Sequence, residues 1–260
     1  MKRNLTINDI AKALNISKST VSRALRDSSD INQETALLNA NVEGIIISVS
    51  RDTEKNEHIR KLKRKGVPLV LFNRVIENFK AAKVVVNDYY GAFNMVDYLI
   101  KTGCRRIAHI SGPNNILLSN NRKEGYFDAL KNSGIERDEK MLVEGDFTIE
   151  SGIICTKKLL VENDKIDAIF AVCDAVAFGA MKVLKEKGIK IPDEISVAGF
   201  TNELMAELVE PALTTVKQPI YEIGETASKL LFAQLNDPDL PAELCVLDTE
   251  LEIRESTKKL

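Results

Sequence analysis

The 260-residue sequence contains no tryptophan, and only 5% of its residues are aromatic. This scarcity argues against the aromatic platforms that bind single-stranded nucleic acid or carbohydrate. No stretch approaches the run of about 18 apolar residues that predicts a membrane-spanning helix. The basic N-terminal segment lacks the continuous apolar core of a secretory signal, so we expect a cytoplasmic protein without a membrane partner.

Motifs for metal binding and catalysis are also missing. The four cysteines, Cys104, Cys155, Cys173 and Cys245, lie tens of residues apart and form no C-x-x-C pair. The sequence has no phosphate-binding loop, no dinucleotide-binding glycine motif, no nucleophile elbow and no zinc-protease helix. We therefore expect no metal, no cofactor and no enzymatic activity.

The charge of the chain is unevenly distributed. The formal net charge is −2, but residues 1–26 hold six basic side chains and one acid, a charge of +5, which leaves −7 for the rest. A basic head on an acidic body is typical of a nucleic-acid-binding module joined to a larger domain. A solvated basic end without a partner would give the same charge.

Residues 6–25 have the pattern of two short helices joined by a tight turn. Thr6 and Asp9 form a helix-start signature, and the apolar residues that follow recur at helical spacing. Asn15 tolerates the left-handed turn, and Ser17 caps the second helix. The outward face of that helix is basic or hydroxylic, so the segment predicts a helix-turn-helix.

The run T-I-N-D-I-A-K-A-L-N-I-S-K-S-T-V-S-R-A-L at 6–25 resembles the DNA-binding headpiece of the LacI/GalR family of bacterial transcription regulators. The resemblance implies that residues 1–35 form this headpiece, with a truncated third helix, and that it binds double-stranded operator DNA. Lys18, Ser19 and Arg23 fall where the family reads base edges. The full set of implied DNA-binding residues is Thr6, Ser17, Lys18, Ser19, Thr20, Ser22, Arg23 and Asn32.

After residue 42, apolar strand-like runs alternate with helical stretches, which predicts an α/β fold with parallel sheets flanked by helices. We expect strands at 44–49, 67–72, 84–86, 106–110, 168–172 and 195–199, and helices near 54–65, 91–102, 122–133, 150–162, 175–187 and 219–235. Ordered motifs such as G-V-P-L-V-L-F-N-R at 66–74 and P-D-E-I-S-V-A-G-F at 192–200 resemble the same family. They imply a periplasmic-binding-protein-like body of two lobes with a ligand cleft between them. We expect the N-terminal lobe at 36–110 and 219–245, and the C-terminal lobe at 111–218 and 246–260.

One departure from the family concerns the segment after Thr35. Family members have a hinge segment, a strand, a helix and a second strand before the region that resembles 42–50. Since a βαβ unit takes about 30 residues and a hinge adds more, we expect roughly 70 to 80 residues to be absent at this point. A genuine internal deletion and a gap in the assembled sequence both remain open. The sequence predicts an incomplete, less stable N-terminal lobe in which the apolar strand at 45–49 has an unpaired edge or a new neighbour.

The resemblance also implies a small-molecule effector, sugar-like, and a homodimer. Arg122 matches the cleft arginine of the family, whose fork-shaped donor suits hydroxyls or a carboxylate. Cys173 and Thr201 replace the Asn and the acid that are common at their positions, which weakens the inference to any particular sugar. The candidate ligand-binding residues are Asn73, Tyr90, Arg122, Cys173, Asp174, Phe200 and Thr201.

The sequence therefore predicts a DNA-binding transcriptional regulator, a repressor, whose operator affinity responds to a small ligand. Two alternatives remain open on the sequence alone. The first is a defective regulator that neither dimerises nor binds ligand. The second is a solute-binding protein without catalytic activity, against which the headpiece and the missing secretory signal argue.

We expect Arg23→Ala to reduce preference for the operator, because an arginine fork on a recognition helix reads guanine edges. Lys18→Ala is expected to change which bases are preferred. Selection of binding sites from randomised duplex DNA measures both effects. Binding profiles identical to those of the wild type would contradict the assignment of the headpiece.

Overall fold

The structure is a computed structural model that describes residues 42–49, 57–163 and 165–260. The headpiece and all eight candidate DNA-binding residues lie outside these ranges. The chain divides into two compact units at Val84, Ile223 and Cys245. The first unit contains the described residues up to 84 together with 224–245, and the second contains 85–223 and 246–260.

Seven α-helices, one 3₁₀ helix at Glu139–Met141 and ten strands are seen within the described ranges. In chain order the α-helices and strands are β1 (Ile45–Ile47), α1 (Glu57–Arg64), β2 (Leu69–Phe72), β3 (Ala82–Val86), α2 (Asp88–Lys101), β4 (Ile107–Ser111), α3 (Leu117–Asn132), β5 (Leu142–Glu144), α4 (Ile149–Glu162), β6 (Ala168–Ala171), α5 (Asp174–Glu186), β7 (Ser196–Thr201), α6 (Met205–Leu208), β8 (Thr214–Lys217), α7 (Ile220–Asn236), β9 (Leu244–Leu247) and β10 (Glu250–Glu252).

The first sheet has four strands in the order β1-β2-β3-β9. β1 runs parallel to β2, with Ile45 opposite Leu69, and β2 runs parallel to β3. Helix α1 buries Ile59 and Leu62 in the apolar cluster that includes β2. Within the described ranges β2 is the one strand neighbour of β1, so the short β1 is an edge strand with half-buried residues.

The second sheet has six strands in the order β10-β8-β7-β6-β4-β5. Five of them are parallel, and β10 at the edge runs antiparallel to β8. All residues of β4 and β6 are buried. The continuous apolar runs predicted a sheet covered on both faces, and this α/β architecture is confirmed.

Alternate residues of β4 face different helices. Ala108 and Ile110 belong to the buried cluster that contains Leu159 of α4 and Val176 of α5. His109, between them in sequence, has its ring against Tyr126 of α3. Since successive strand residues point to opposite faces, α4 and α5 cover one face of the sheet, and α3 lies on the other.

Glycines allow the helices of each pair to approach closely. A Cβ atom at Gly125 of α3 would lie 2.3 Å from the backbone oxygen of Tyr89 in α2. On the other face, a Cβ at Gly152 of α4 would lie 2.2 Å from the backbone oxygen of Val176. Neither position has room for a side chain, so glycine at 125 and 152 sets the distance between the paired helices.

The structure differs from the sequence-based expectation in three respects. The boundary near 110 is replaced by one at Val84, because β4 pairs with β6 and β5 in the second sheet and belongs with them. Helix α3 begins at Leu117 rather than near 122. The expectation also missed four short strands, which are β5, β8, β9 and β10.

His109 is a fully buried imidazole in the middle of the second sheet. Its ring stacks on Phe170 with centroids 4.9 Å apart, and Nδ1 lies 2.9 Å from the carbonyl oxygen of Phe170. That acceptor assigns the proton to Nδ1, and Nε2 has no hydrogen-bond partner among the residues that the structure describes. Burial lowers the pKa of His109 to about 4.

No helix among the described residues is long and apolar enough to cross a membrane. The described ranges also contain no group of three or more His, Cys, Asp or Glu side chains placed to hold a metal ion.

We expect Gly125→Ala to lower the free energy of unfolding by about 1–3 kcal/mol, because the added methyl group pushes α3 away from α2. Gly224→Ala is the matched control, since Gly224 lies in α7 and no described residue comes within 4 Å of its Cβ position. That control is expected to raise stability by up to about 1 kcal/mol. Denaturant titration measures both, and equal effects would contradict the packing argument.

We expect His109→Phe to remove one source of acid sensitivity. The unfolded chain takes up a proton on His109 below about pH 6.5, whereas the folded protein resists protonation until about pH 4. Between these values the wild type therefore loses about 3 kcal/mol of unfolding free energy relative to the variant as the pH falls. Denaturant titrations across this range measure the difference, and parallel pH profiles would contradict it.

Candidate ligand-binding site

Polar side chains gather at the carboxyl ends of the parallel strands in the second unit. Cys173 and Asp174 follow β6, and Thr201 ends β7. In open parallel sheets the loops at this edge form the usual ligand-binding surface. The cluster formed by Asp88, Arg122, Asp174, Phe200 and Thr201 is called the polar edge below.

Arg122 lies at the centre of the polar edge and is only 2% exposed. Its Nε and Nη2 donate to Oδ1 of Asp88 at 2.8 and 2.7 Å, and Nη1 donates to the carbonyl oxygen of Val172. The guanidinium also stacks on the ring of Phe200, with Cζ 3.5 Å from the ring centroid. This side chain therefore connects α3 with the start of α2 and the ends of β6 and β7.

Asp88 is the first residue of α2 and is 4% exposed. Burial raises the pKa of its carboxyl, while the charge and the hydrogen bond of Arg122 act in the opposite direction. A guanidinium does not lose its proton in proteins, so a neutral Asp88 would leave a buried cation without compensation. The two groups are therefore an ion pair at neutral pH.

Asp174 organises the loop that follows β7. Its carboxylate accepts from the hydroxyl of Thr215 and, at 2.8 Å, from the backbone N–H of Glu203. The side chain is fully buried. Burial raises the pKa of Asp174, and these hydrogen bonds oppose that rise. Because both oxygens already have donors, Asp174 holds the loop in place and has little capacity left for a ligand.

Two residues of this loop have strained backbones. Thr201 has φ of 132°, and Asn202 has φ of 60°. Positive φ is unfavourable for a β-branched residue such as threonine, and strain of this kind is common at ligand-binding sites. Arg254 stabilises the loop by donating to Oδ1 of Asn202 at 2.8 Å. The strained segment supports the assignment of this edge as a functional surface.

Cys173 precedes α5 and contributes a neutral thiol. It is 7% exposed, and its Sγ donates to the carbonyl oxygen of Phe147 at 3.8 Å. Burial raises the pKa of Cys173 to about 11, although a helix N-terminus usually favours the thiolate. The side chain is therefore neither a nucleophile nor a charged partner at neutral pH.

Two aromatic rings differ in exposure. Phe200 is fully buried beneath Arg122, whereas Tyr90, in the first turn of α2, is 58% exposed. The ring of Tyr90 meets the ring of Tyr89 edge-on, with centroids 5.2 Å apart. More than half of the surface of Tyr90 is thus exposed to solvent, while Phe200 is part of the support for the arginine.

The structure brings together most of the ligand residues that the sequence predicted. Arg122, Cys173, Asp174, Phe200 and Thr201 lie at one edge of the second unit, next to the helix that carries Tyr90. Asn73 belongs to the first unit, where it follows β2 with φ of 56° and donates its backbone N–H to Val84.

Sequence reasoning missed Asp88 and Thr215, the direct partners of two predicted residues. Asp88 lies two residues after the end of β3 and begins α2, a position where acids are common. Thr215 lies inside the short β8, where nothing in its local sequence distinguishes it. Its role depends on the position of Asp174, 41 residues away.

Two family models match the sequence. The model described as "Bacterial regulatory proteins, lacI family" matches residues 6–42, and the model described as "Periplasmic binding protein-like domain" matches residues 96–257. The second match covers more than half of the chain and includes every residue of the polar edge except Asp88.

Similar proteins are known from both sequence and structure. The chain is 35% identical to catabolite control protein A of Priestia megaterium, over 88% of this chain and 71% of that protein. It is 35% identical to the HTH-type transcriptional repressor CytR of Escherichia coli K12, over 74% of this chain and 57% of that protein. A LacI family transcriptional regulator from Enterococcus faecium, solved with bound ribose, has a TM-score of 0.78 at 28% identity and covers 90% of this chain and 87% of its own.

The chain spans between 57% and 71% of the length of the curated relatives named above. The two family models nevertheless match in the order that the sequence motifs implied, and one relative at 35% identity extends over most of the chain. The protein belongs to the LacI family of bacterial regulatory proteins.

Proposed function

We propose that the chain is a sequence-specific DNA-binding transcriptional regulator, a repressor, whose operator affinity changes when a small sugar-like ligand binds at the polar edge. The observation that carries this proposal is the combination in one chain of a lacI-family headpiece sequence at 6–42 with a buried, strained polar edge in the second unit. The headpiece supports this function over that of a solute-binding protein.

The ligand-binding role is divided among side chains of different exposure. Tyr90 offers an exposed ring on which a sugar can stack, as aromatic faces do with apolar surfaces. Arg122 offers its remaining N–H groups to hydroxyl oxygens. Asp174 acts as a positioning residue for the loop of Thr201. Asn73 is a separate candidate within the first unit. The ribose in the related structure supports a sugar as the ligand class.

The DNA-binding role falls on residues 1–35, with Lys18, Ser19 and Arg23 reading bases. We assign the effector-binding lobes to the two compact units, the first up to 84 and at 224–245, and the second at 85–223 and 246–260. The protein acts in the cytoplasm, as a homodimer on a two-fold operator. An internal gap after Thr35 is consistent with the 57% to 71% coverage of the curated relatives.

Regulation requires that the ligand binds one conformation of the protein more tightly than another, since only this difference can shift operator affinity. A coupling of about 1–3 kcal/mol changes affinity about 5-fold to 150-fold. The same factor applies to ligand affinity when operator DNA is bound, which gives the proposal a reciprocal test.

We expect at least one neutral sugar of a panel of D-ribose, D-glucose, D-galactose and cellobiose to bind the full chain and to change operator affinity at least fivefold. Tyr90→Ala is expected to lower the affinity for that sugar at least tenfold, because the exposed ring on which the sugar stacks is lost. Isothermal titration calorimetry measures sugar affinity, and fluorescence anisotropy of a selected operator duplex measures DNA affinity.

Val161→Ala is the matched control, because Val161 is 84% exposed at the end of α4 and its truncation removes little packing. We expect this variant to bind sugar as the wild type does. Absence of binding by every sugar in the panel, or equal losses in the two variants, would contradict the proposed ligand site.

A further inference from the structure

The guanidinium of Arg122 already has most of its charge and donors engaged within the protein. Three of its five N–H groups point at Asp88 and at the carbonyl of Val172, and Phe200 covers one face. The ion pair of Asp88 and Arg122 has no net charge. What remains for a ligand is one N–H on each terminal nitrogen, beside a carboxylate.

Other cations at this edge of the second unit also have acceptors. Those acceptors are Asn114 for Lys123, Glu250 and Glu252 for Lys217, and Glu207 together with Asn202 for Arg254. The acids Asp174 and Glu203 lie in the same region and interact with each other. The polar edge is therefore neutral to acidic, although an arginine stands at its centre.

We infer that Asp88 is a specificity-determining residue that restricts the polar edge to uncharged polyhydroxyl ligands and excludes carboxylates and phosphate esters. This inference rests on the proposed function and adds the charge class of the ligand. An anion that reached Arg122 would lie against the Asp88 carboxylate, and like charges repel strongly in a site that excludes water. A hydroxyl group can accept from Arg122 and donate to Asp88, so a sugar fits both partners.

Asp88→Asn tests the inference directly, with inorganic phosphate as the probe. The substitution keeps the size of the side chain and an oxygen acceptor for Arg122, but it removes the negative charge. We expect phosphate to bind the variant at least tenfold more tightly than the wild type at constant ionic strength, and to raise the Tm of the variant alone. Calorimetry and thermal unfolding measure the two effects, and a difference below threefold would overturn the inference.

Asp97→Asn is the control on the same helix. Asp97 forms a surface ion pair with Lys101 at 2.6 Å. Its replacement by asparagine therefore removes the same charge as Asp88→Asn but leaves no buried cation unpaired. We expect no gain in phosphate binding. The double variant Asp88→Asn, Arg122→Gln is expected to lose the gain, and a gain that persists without Arg122 would overturn the inference.

A second measurement uses the wild type, since Asp88→Asn leaves Arg122 buried without its partner and lowers stability. D-galactose is compared with D-galacturonate, and D-ribose with ribose 5-phosphate. We expect the neutral member of each pair to bind at least tenfold more tightly than the acidic member, and an acidic member that binds the wild type as tightly as its neutral partner would overturn the inference. If no sugar binds, the proposed ligand class fails, while the phosphate comparison still decides the role of Asp88.

Discussion

The buried ion pair between Asp88 and Arg122 is the interaction on which the polar edge depends. A single charge at that depth would cost several kcal/mol, so each partner fixes the place of the other. The pair joins the start of α2 to α3, and Arg122 continues the connection to the end of β6 and to Phe200 of β7. Glycine at position 125 permits this arrangement, because it brings the same two helices close enough for the pair to form.

The loop after β7 shows how local strain is offset by nearby bonds. Thr201 and Asn202 have positive φ, and each such residue costs about 1–3 kcal/mol. The backbone next to them is held by Asp174, and Asn202 is held by Arg254. Since these bonds come from α5 and from the C-terminal segment, the strained geometry depends on the whole second unit. A loop of the same sequence would not keep this conformation by itself.

Long apolar runs made much of the fold predictable from the sequence. The short strands and the residue pairs that are distant in sequence could not be predicted in this way. β4 and β6 lie within continuous buried runs, and hydrophobic periodicity identifies such segments. β5 has three residues, and only its pairing with β4 defines it as a strand. The arginine of the site was recognisable from its motif. Asp88 was not, because an acid in the first turn of a helix is common and its partner lies 34 residues away.

The two sheets differ in how far they would depend on the segment that the sequence predicts to be absent after Thr35. The polar edge is built from contacts within 85–223 and 246–260, and its central pair involves no residue of the first unit. The first sheet instead begins at β1, which has three half-buried residues and one described strand neighbour. A strand absent from the chain would therefore weaken the first sheet, where an apolar strand then lies at the edge. The contacts of the polar edge do not involve that strand, so the charge selectivity proposed for Asp88 does not require it.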